Sequence, residues 1–393
     1  MNIILFDDPA LRVALLPFTF TRPVSSIRVG ILLISEKWEK RLHLKVSVKT
    51  EAYLQKKFPL ISTPDNLLIN GAVCPDDQLI DSIKALPSGY YLVKNALLIA
   101  ARNPEEEMST KNTIEYQNLF TVIDHPWKIF RENASQLKLD FTLITSGRTS
   151  ARIADKHTVL YGEENIFIEE GVSILAAILN AQSGPIYLGK NSIIQEGVMI
   201  RGSFALCESA QINMGAKIRG DTTVGPFSKV GGEVSNSVIF GNSNKAHDGY
   251  LGNSVLGEWC NLGAGTNTSN LKNNYDTVKL WSHAERNLID TRLQFCGLMM
   301  GDHNKAGINT MFNTGTVVDV CSNIFGSGLP PNYVPSFSWG GSNGFVTYEF
   351  DKAIETIQRV MQRRNTDLSN DDLEILLHVS KMTTASRVWE HKN

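Results

Sequence analysis

The spacing of apolar residues divides the chain into three textures. Between about 160 and 328, stepping by six from Leu188 gives Leu188, Ile194, Ile200, Leu206, Ile212, Ile218, Val224 and Val230. All eight are Leu, Ile or Val. Against a background of 42% hydrophobic residues, such a run arises by chance about once in a thousand frames, a crude test for an internal repeat. The residue four places on is usually small or β-branched: Ser192, Val198, Ala210, Ala216, Thr222, Ser228 and Val234, with Phe204 the exception. A period of six is neither the 2 of a strand nor the 3.6 of a helix. It fits a three-sided parallel β-helix in which one residue per face points to the axis. A β-sandwich or an ordinary Gly-rich all-β domain is the alternative, but sandwich strands would alternate with period two.

The row slips by two after Val230 and resumes at Val238, Tyr250, Leu256 and Leu262, with Asn244 interrupting it. A last stretch runs through Met300, Ala306, Phe312, Val318 and Ile324. The interruptions, at about 231–250 and 268–295, predict loops that leave the coil, the usual place for a binding face on a solenoid.

Residues 1–150 read as an α/β domain. Apolar bursts of strand length stand at Ile3–Phe6, Gly30–Ile34, Leu67–Ile69 and Tyr90–Val93, with helix-like stretches at 51–58 and 78–86. That alternation predicts a largely parallel sheet. A connector helix is expected over 125–139. Residues 151–328 form the β-helix. From 329 to 393 helices return after Pro330, Pro331 and Pro335. Phe350, Ala353, Ile354, Ile357, Val360 and Met361 make one apolar stripe. Ser369 and Asp372 suggest a capping box for a last helix carrying Leu373, Leu376 and Leu377. These helices are expected to cap the solenoid end or to pack on a neighbouring subunit.

Composition narrows the classes. The 38 Lys+Arg against 40 Asp+Glu give a net charge of −2, so nothing electrostatic calls for nucleic acid. Five dispersed cysteines without a C-x-x-C pair predict neither a disulfide framework nor a zinc site. No apolar run reaches the roughly 20 residues that span a bilayer, and the N-terminus reads as a first strand. A cytoplasmic protein without membrane contact is expected.

The richest chemistry lies at Lys245-Ala-His-Asp-Gly-Tyr-Leu-Gly252 and Asn261-Leu-Gly-Ala-Gly-Thr266. An imidazole on a loop leaving a rigid scaffold suits general base catalysis. Tyr250 and Lys279 suit a hydroxyl and a phosphate. The amides of Gly263, Ala264 and Gly265 suit a thioester carbonyl or an oxyanion. The bland reading of His247 is a structural histidine, and that of Asn261 and Asn270 is turn residues or an asparagine stack.

Those two runs resemble the acetyltransferase half of the GlmU-type bifunctional enzymes, which join glucosamine-1-phosphate N-acetyltransferase and N-acetylglucosamine-1-phosphate uridylyltransferase in one chain. The sequence Thr268-Ser-Asn-Leu-Lys272, with Gly301-Asp302 and Gly307-Ile-Asn309 downstream, is similar to archaeal sugar-1-phosphate nucleotidylyltransferase/acetyltransferase variants. The resemblance implies a nucleotidyltransferase domain, a linker helix and a left-handed, trimer-forming β-helix using acetyl-CoA. It makes His247 the base that deprotonates the acceptor amine. It places Tyr250, Asn261, Asn270, Lys279 and Lys245 around the acceptor, an amino-sugar phosphate, and Gly263, Ala264, Gly265 and Asn309 along the acetyl-CoA arm. Basic residues expected before the histidine are replaced by Gly231-Gly232, with Lys229 and Lys245 the nearest cations.

In the N-terminal part, Arg12-Val-Ala-Leu-Leu-Pro-Phe-Thr-Phe-Thr-Arg-Pro-Val24 is similar to the tail of a nucleotidyltransferase signature. The resemblance implies nucleotide contacts from Arg12, Arg22 and Asn70, UTP as a substrate and, if this domain is active, Mg²⁺ on Asp76 or Asp77, the alternative being that the magnesium site has gone. Asp7-Asp-Pro-Ala10 stands where a phosphate-cradling glycine loop is expected, and acidic groups repel phosphate. Three functions follow as alternatives: N-acetylation of an amino-sugar 1-phosphate, coupled or not to uridylyl transfer; sugar-1-phosphate nucleotidyl transfer with UTP or dTTP, the β-helix only trimerising or regulating; or a non-enzymatic nucleotide-sugar-binding scaffold.

Overall fold

The computed structural model describes residues 1–104 and 110–391. Residues 105–109 and 392–393, the end of the C-terminal segment, lie outside that description. The chain forms two compact units. The first holds residues 1–15, 22–27 and 32–125; the second holds 16–21, 28–31 and 126–393.

The first unit is built on a six-stranded sheet in the order Val46–Lys49, Asn2–Phe6, Asn66–Asn70, Leu97–Arg102, Tyr91–Lys94, Thr113–Glu115. Ile3, Leu5, Leu67, Ile69 and Ile99 from these strands are fully buried. The sheet is mixed rather than largely parallel, because Leu97–Arg102 runs antiparallel to both its neighbours. That strand follows a tight turn at Asn95 and Ala96, both at positive φ (49° and 65°). Such turns normally announce themselves with glycine, and here alanine conceals the hairpin.

Gly30–Ile34 is not a strand. The Ile31 amide donates to Asp140 Oδ2 (2.8 Å), and Ile34 opens the helix Ile34–Leu42. Gly30 sits at φ +78°, and a Cβ there would lie 2.5 Å from Asp140 Oδ2 and 2.8 Å from the backbone of Gln136. Only glycine fits so close an approach. The expected helix over 51–58 shortens to one turn at Ala52–Gln55. That over 78–86 is present as Asp77–Lys84.

In the second unit the expected connector is two helices, Pro126–Arg131 and Asn133–Thr145. Asn133 anchors the longer one, accepting from the Gly30 amide (2.7 Å) and donating to the Asp221 carbonyl (2.9 Å). A parallel β-helix follows. Two of its faces carry nine-stranded and ten-stranded sheets, and a third carries six strands. Leu188, Ile194, Ile200, Leu206, Ile212, Ile218, Val224 and Val230 all belong to one interior cluster and are at most 2% exposed. The residues four places on are also buried. Each fully buried aliphatic side chain contributes about 1.5–3 kcal/mol, so the stacked columns hold the solenoid together.

The phase slip has a physical cause. Phe204 pairs with Thr222, a step of 18 residues, but Thr223 pairs with Val238 and Val224 with Ile239, a step of 15. One coil is short. The inward residues after Val230 are therefore Val234, Ile239 and Leu251, not Val238 and Tyr250. Most of the 231–250 stretch stays in the coil as the strands Glu233–Ser235, Val238–Gly241 and Asn244–Lys245, and only the tight turn 246–249 departs. The second interruption does leave the coil, as the antiparallel hairpin Lys279–Ser282 and Asn287–Asp290.

Lys245 pairs with Val230 and takes the next place in an aliphatic row, 2% exposed. Its ammonium donates to the His247 carbonyl (2.5 Å). Burial pulls its pKa down to about 8, opposed by Asp248.

The coil ends in an antiparallel hairpin, Ser338–Gly341 with Gly344–Thr347. The helix Phe350–Gln362 buries Ala353, Ile354, Ile357 and Met361. The helix Asn370–Met382 is capped by Ser369, whose Oγ accepts the Asp372 amide (3.1 Å). Its buried face is Ile375, Leu376 and Val379, while Leu377 is exposed. The turn after Phe350–Gln362 reaches the side of the solenoid, since Arg364 donates to the Phe227 carbonyl and to Asn244. Among the described residues, no helix is long and apolar enough to cross a membrane.

Two predictions test the column. Ile212→Ala should cost about 2–5 kcal/mol in urea denaturation, whereas Ile193→Ala, one of the outward neighbours, should cost about 0.5 kcal/mol or less. Equal losses would contradict the inward register. For Lys245, both folded and unfolded chains are charged below about pH 8, and the folded chain bears the burial cost. Between about 8 and the ordinary 10.5 the unfolded chain holds more protons, so stability at this group rises with pH. The melting-temperature difference, Lys245→Met minus wild type, should therefore fall from about pH 7 to about pH 10. A difference independent of pH would contradict a buried, desolvated ammonium.

Candidate active site

Register decides which outward side chains meet. On the ten-stranded face Lys229 pairs with Asn244, Asn244 with Asn261, and Asn261 with Lys305. Each stands one place before an inward position, so the four form a polar ladder on the outside of the coil. The turn carrying His247 crosses this ladder at its edge. Asn213 Nδ2 holds it through the Ala246 carbonyl (2.7 Å). A Cβ at Gly231 would lie 2.3 Å from the Ala246 carbonyl oxygen, and one at Gly232 2.9 Å from that of His247. Gly231-Gly232, which stands where basic residues were expected, is thus the bed on which the histidine turn lies.

The helix Phe350–Gln362 closes the other side. His247, Asn244, Asn261, Lys229 and Lys305 line a cavity of about 590 Å³ together with Thr356, Val360, Arg363 and Arg364, and with Trp259 and Cys260 behind. His247 is exposed into it. A chain of hydrogen bonds orients the amides. Arg364 can only donate, so the atom it meets on Asn244 is Oδ1 (2.8 Å). Asn244 Nδ2 then faces Asn261 Oδ1 (3.4 Å), which leaves the Asn261 amino group for the cavity. Lys305 donates to the Trp259 carbonyl (2.5 Å), and burial lowers its pKa. Trp259 in turn stacks on His303, with the rings 2° from parallel. Cys260 is no nucleophile: burial pushes its thiol up to about 12, and its Sγ donates to the Gly301 carbonyl (3.0 Å). All five cysteines are buried free thiols.

Of the residues singled out in the sequence, His247 and Asn261 are brought together here. Lys245 points inward instead. Tyr250 and Asn270 form a separate pair on the six-stranded side, with Asn270 Nδ2 donating to Tyr250 Oη (3.0 Å) and to Asn253 Oδ1 (2.8 Å). Burial raises the Tyr250 pKa. Lys279 is exposed at the base of the hairpin, opposite Asp290. The amides of Gly263 and Gly265 are engaged, donating to the Ala306 carbonyl (2.9 Å) and the Asp248 carbonyl (3.1 Å). They are not open oxyanion donors. Ala264 is exposed, and its carbonyl accepts the Asn309 amide (2.7 Å). Asn309 itself takes a left-handed turn at φ 57°.

Four residues of the cavity escaped sequence reasoning as site residues: Asn244, Lys305, Arg363 and Arg364. Lys305 stands, like Asn261, one place before a residue of the apolar row, whereas Asn244 falls on the row itself by spacing and only the pairing sets it beside Asn261. The two arginines carried no signal, because nothing in their local pattern says which face the helix meets.

In the first unit the expected nucleotide residues are tied into the fold. Arg12 is 5% exposed and pairs with Asp7 (3.0 Å), Tyr53 Oη (2.8 Å) and the Arg22 carbonyl (3.2 Å). Burial pushes the Asp7 carboxyl up, against Thr50, Arg12 and the Val24 amide. Arg22 is 6% exposed. Asn70 is fully buried, bridging the Leu98 carbonyl (3.0 Å) and the Ala72 amide (3.0 Å). Asp76 caps a helix through the Leu79 amide (2.8 Å), and Asp77 pairs at the surface with Arg41. Among the described residues, no group of three or more His, Cys, Asp or Glu side chains could hold a metal. Asp76 and Asp77 are thus each engaged by the fold, one as a helix cap and one in a surface ion pair.

Residues 3–149 match the family model described as sugar nucleotidyl transferase. The chain is 32% identical over 127 residues to a bifunctional protein GlmU of Trichodesmium erythraeum, covering 32% of this chain and 22% of that one. It is 39% identical over 134 residues to the GlmU of a Picosynechococcus species, covering 33% and 26%. A longer match, 26% identical over 267 residues, is to a bifunctional sugar-1-phosphate nucleotidylyltransferase/acetyltransferase of Sulfurisphaera tokodaii, covering 67% of this chain and 58% of the other. The chain thus spans only about a quarter of the length of the GlmU proteins it matches. The crystal structure of an Arabidopsis UDP-N-acetylglucosamine acyltransferase aligns with 61% of this chain and 95% of its own, at 12% identity and a TM-score of 0.31. In its parts, a nucleotidyltransferase-like region followed by a parallel β-helix, the chain is similar to the bifunctional GlmU-type proteins.

Proposed function

We propose that the chain acts in sugar-nucleotide biosynthesis and transfers the acetyl group of acetyl-CoA to the amine of an amino-sugar 1-phosphate of the glucosamine-1-phosphate kind. The observation that carries this reading is His247, exposed into a cavity whose ladder also presents the Asn261 amino group. The similarity to bifunctional nucleotidylyltransferase/acetyltransferases supports the substrate class.

The amine attacks the thioester carbonyl and forms the new C–N bond. His247 takes the proton the nitrogen loses. The tetrahedral oxyanion meets a donor, for which the Asn261 amino group is available. The C–S bond then breaks, and His247 returns the proton to the departing thiolate. The high pKa of the Cys260 thiol favours direct transfer over an acyl-enzyme. His247→Ala should lower kcat for acetyl transfer by about 10²–10⁴, with little change in KM for the acceptor, in a free-thiol release assay. An undiminished kcat would reject His247 as the base.

A second activity is favoured by one observation, the family-model match over 3–149. Nucleotidyl transfer in the first unit should release pyrophosphate from UTP or dTTP only when a sugar 1-phosphate is present, and His247→Ala should leave that rate unchanged. Absence of pyrophosphate with every sugar 1-phosphate tried would reduce the first unit to a retained fold.

A further inference from the structure

The cavity beside His247 is lined by four cations, Lys229, Lys305, Arg363 and Arg364, and, among the described residues, by no carboxylate. Lys305 meets the carbonyls of Trp259 (2.5 Å) and His303 (3.5 Å), and Arg364 meets the Phe227 carbonyl and the Asn244 side chain. Arg359, on the same helix, pairs with Glu355 and does not line the cavity. Carbonyl dipoles fix the direction of a cation but leave its charge uncancelled, and a partly buried charge without a counter-ion is costly. An anion entering here would meet two fixed cations and two exposed, movable ones. Convergent Lys and Arg donors match the several oxygens of a phosphate. The volume exceeds what a bare ion fills and lies in the range of small-molecule sites, with Trp259 and Val360 as apolar wall.

We propose that this cavity binds the phosphate-ester group of a substrate, held by Lys305 and Arg364 from fixed positions and clasped by Lys229 and Arg363. The C-terminal helix Phe350–Gln362 then completes the site by delivering the arginines that follow it. It supplies the cations that Gly231-Gly232 gives up where it beds the histidine turn. The inference rests on the acetyl-transfer reading for its link to His247, and two substrates of that reaction carry the chemistry: the 1-phosphate of the acceptor, and the phosphates of CoA.

The test is calorimetric titration of the full chain with glucosamine 1-phosphate, with CoA and with inorganic phosphate, so that binding is read without turnover. Lys229 and Arg363 are exposed, so the double variant Lys229→Gln/Arg363→Gln should keep the fold. It should bind at least one of the two esters about tenfold or more weakly than wild type. Loss with glucosamine 1-phosphate assigns the cavity to the acceptor, and loss with CoA assigns it to the donor. Wild-type affinity for that ester should also fall as ionic strength rises, a measurement that needs no variant. His247→Ala should retain the binding, which separates this inference from the catalytic one. Equal affinity of wild type and double variant for both esters, or affinity indifferent to salt, would overturn it.

Discussion

One constraint governs the second unit: an aliphatic side chain must face the axis about every sixth residue. Everything outside the coil takes its place from that. With Ile212, Val230, Leu262 and Ala306 pointing inward, the residue before each is forced outward, and outward residues of successive rungs fall into line. Lys229, Asn244, Asn261 and Lys305 are distant in sequence and adjacent in space for this reason alone. The burial that stabilises the rod also aligns the polar groups of the candidate site.

The same constraint explains where regularity is broken. The short coil between Val224 and Ile239 shifts the phase, and the tight turn at 246–249 then lifts His247 off the face. A lysine falls on an inward position just before that turn and ties the His247 carbonyl in place. Two of these departures, the inward Lys245 and the turn 246–249, lie at the imidazole itself, as expected where chemistry rather than packing chooses the residue.

The β-helix was legible because its signal is repeated, and a repeated signal survives local exceptions such as Phe204. Past Val230 the inward row was misplaced by one residue at Val238 and Tyr250, since a spacing rule cannot see that a coil has lost residues until pairing shows it. The N-terminal sheet was legible only in part. Its antiparallel strand hides behind a turn without glycine, and Gly30–Ile34 reads as a strand although Asp140, far along the chain, claims one of its amides. The histidine was found by its motif. Arg363 and Arg364 were not, because a pair of arginines after an amphipathic helix has no local feature that names its partner. For Arg12, Asn70 and Asp76 the residue types suited phosphate or metal, yet each is consumed by fold contacts that sequence cannot display.

The central claim is that the imidazole on the turn serves a transfer of acetyl to an amino sugar. The most direct measurement is mass-spectrometric identification of products after the purified chain meets acetyl-CoA and glucosamine 1-phosphate. The account predicts N-acetylated sugar phosphate and free CoA in equal amounts. Intact acetyl-CoA beside unmodified amine, with the protein folded, would contradict it.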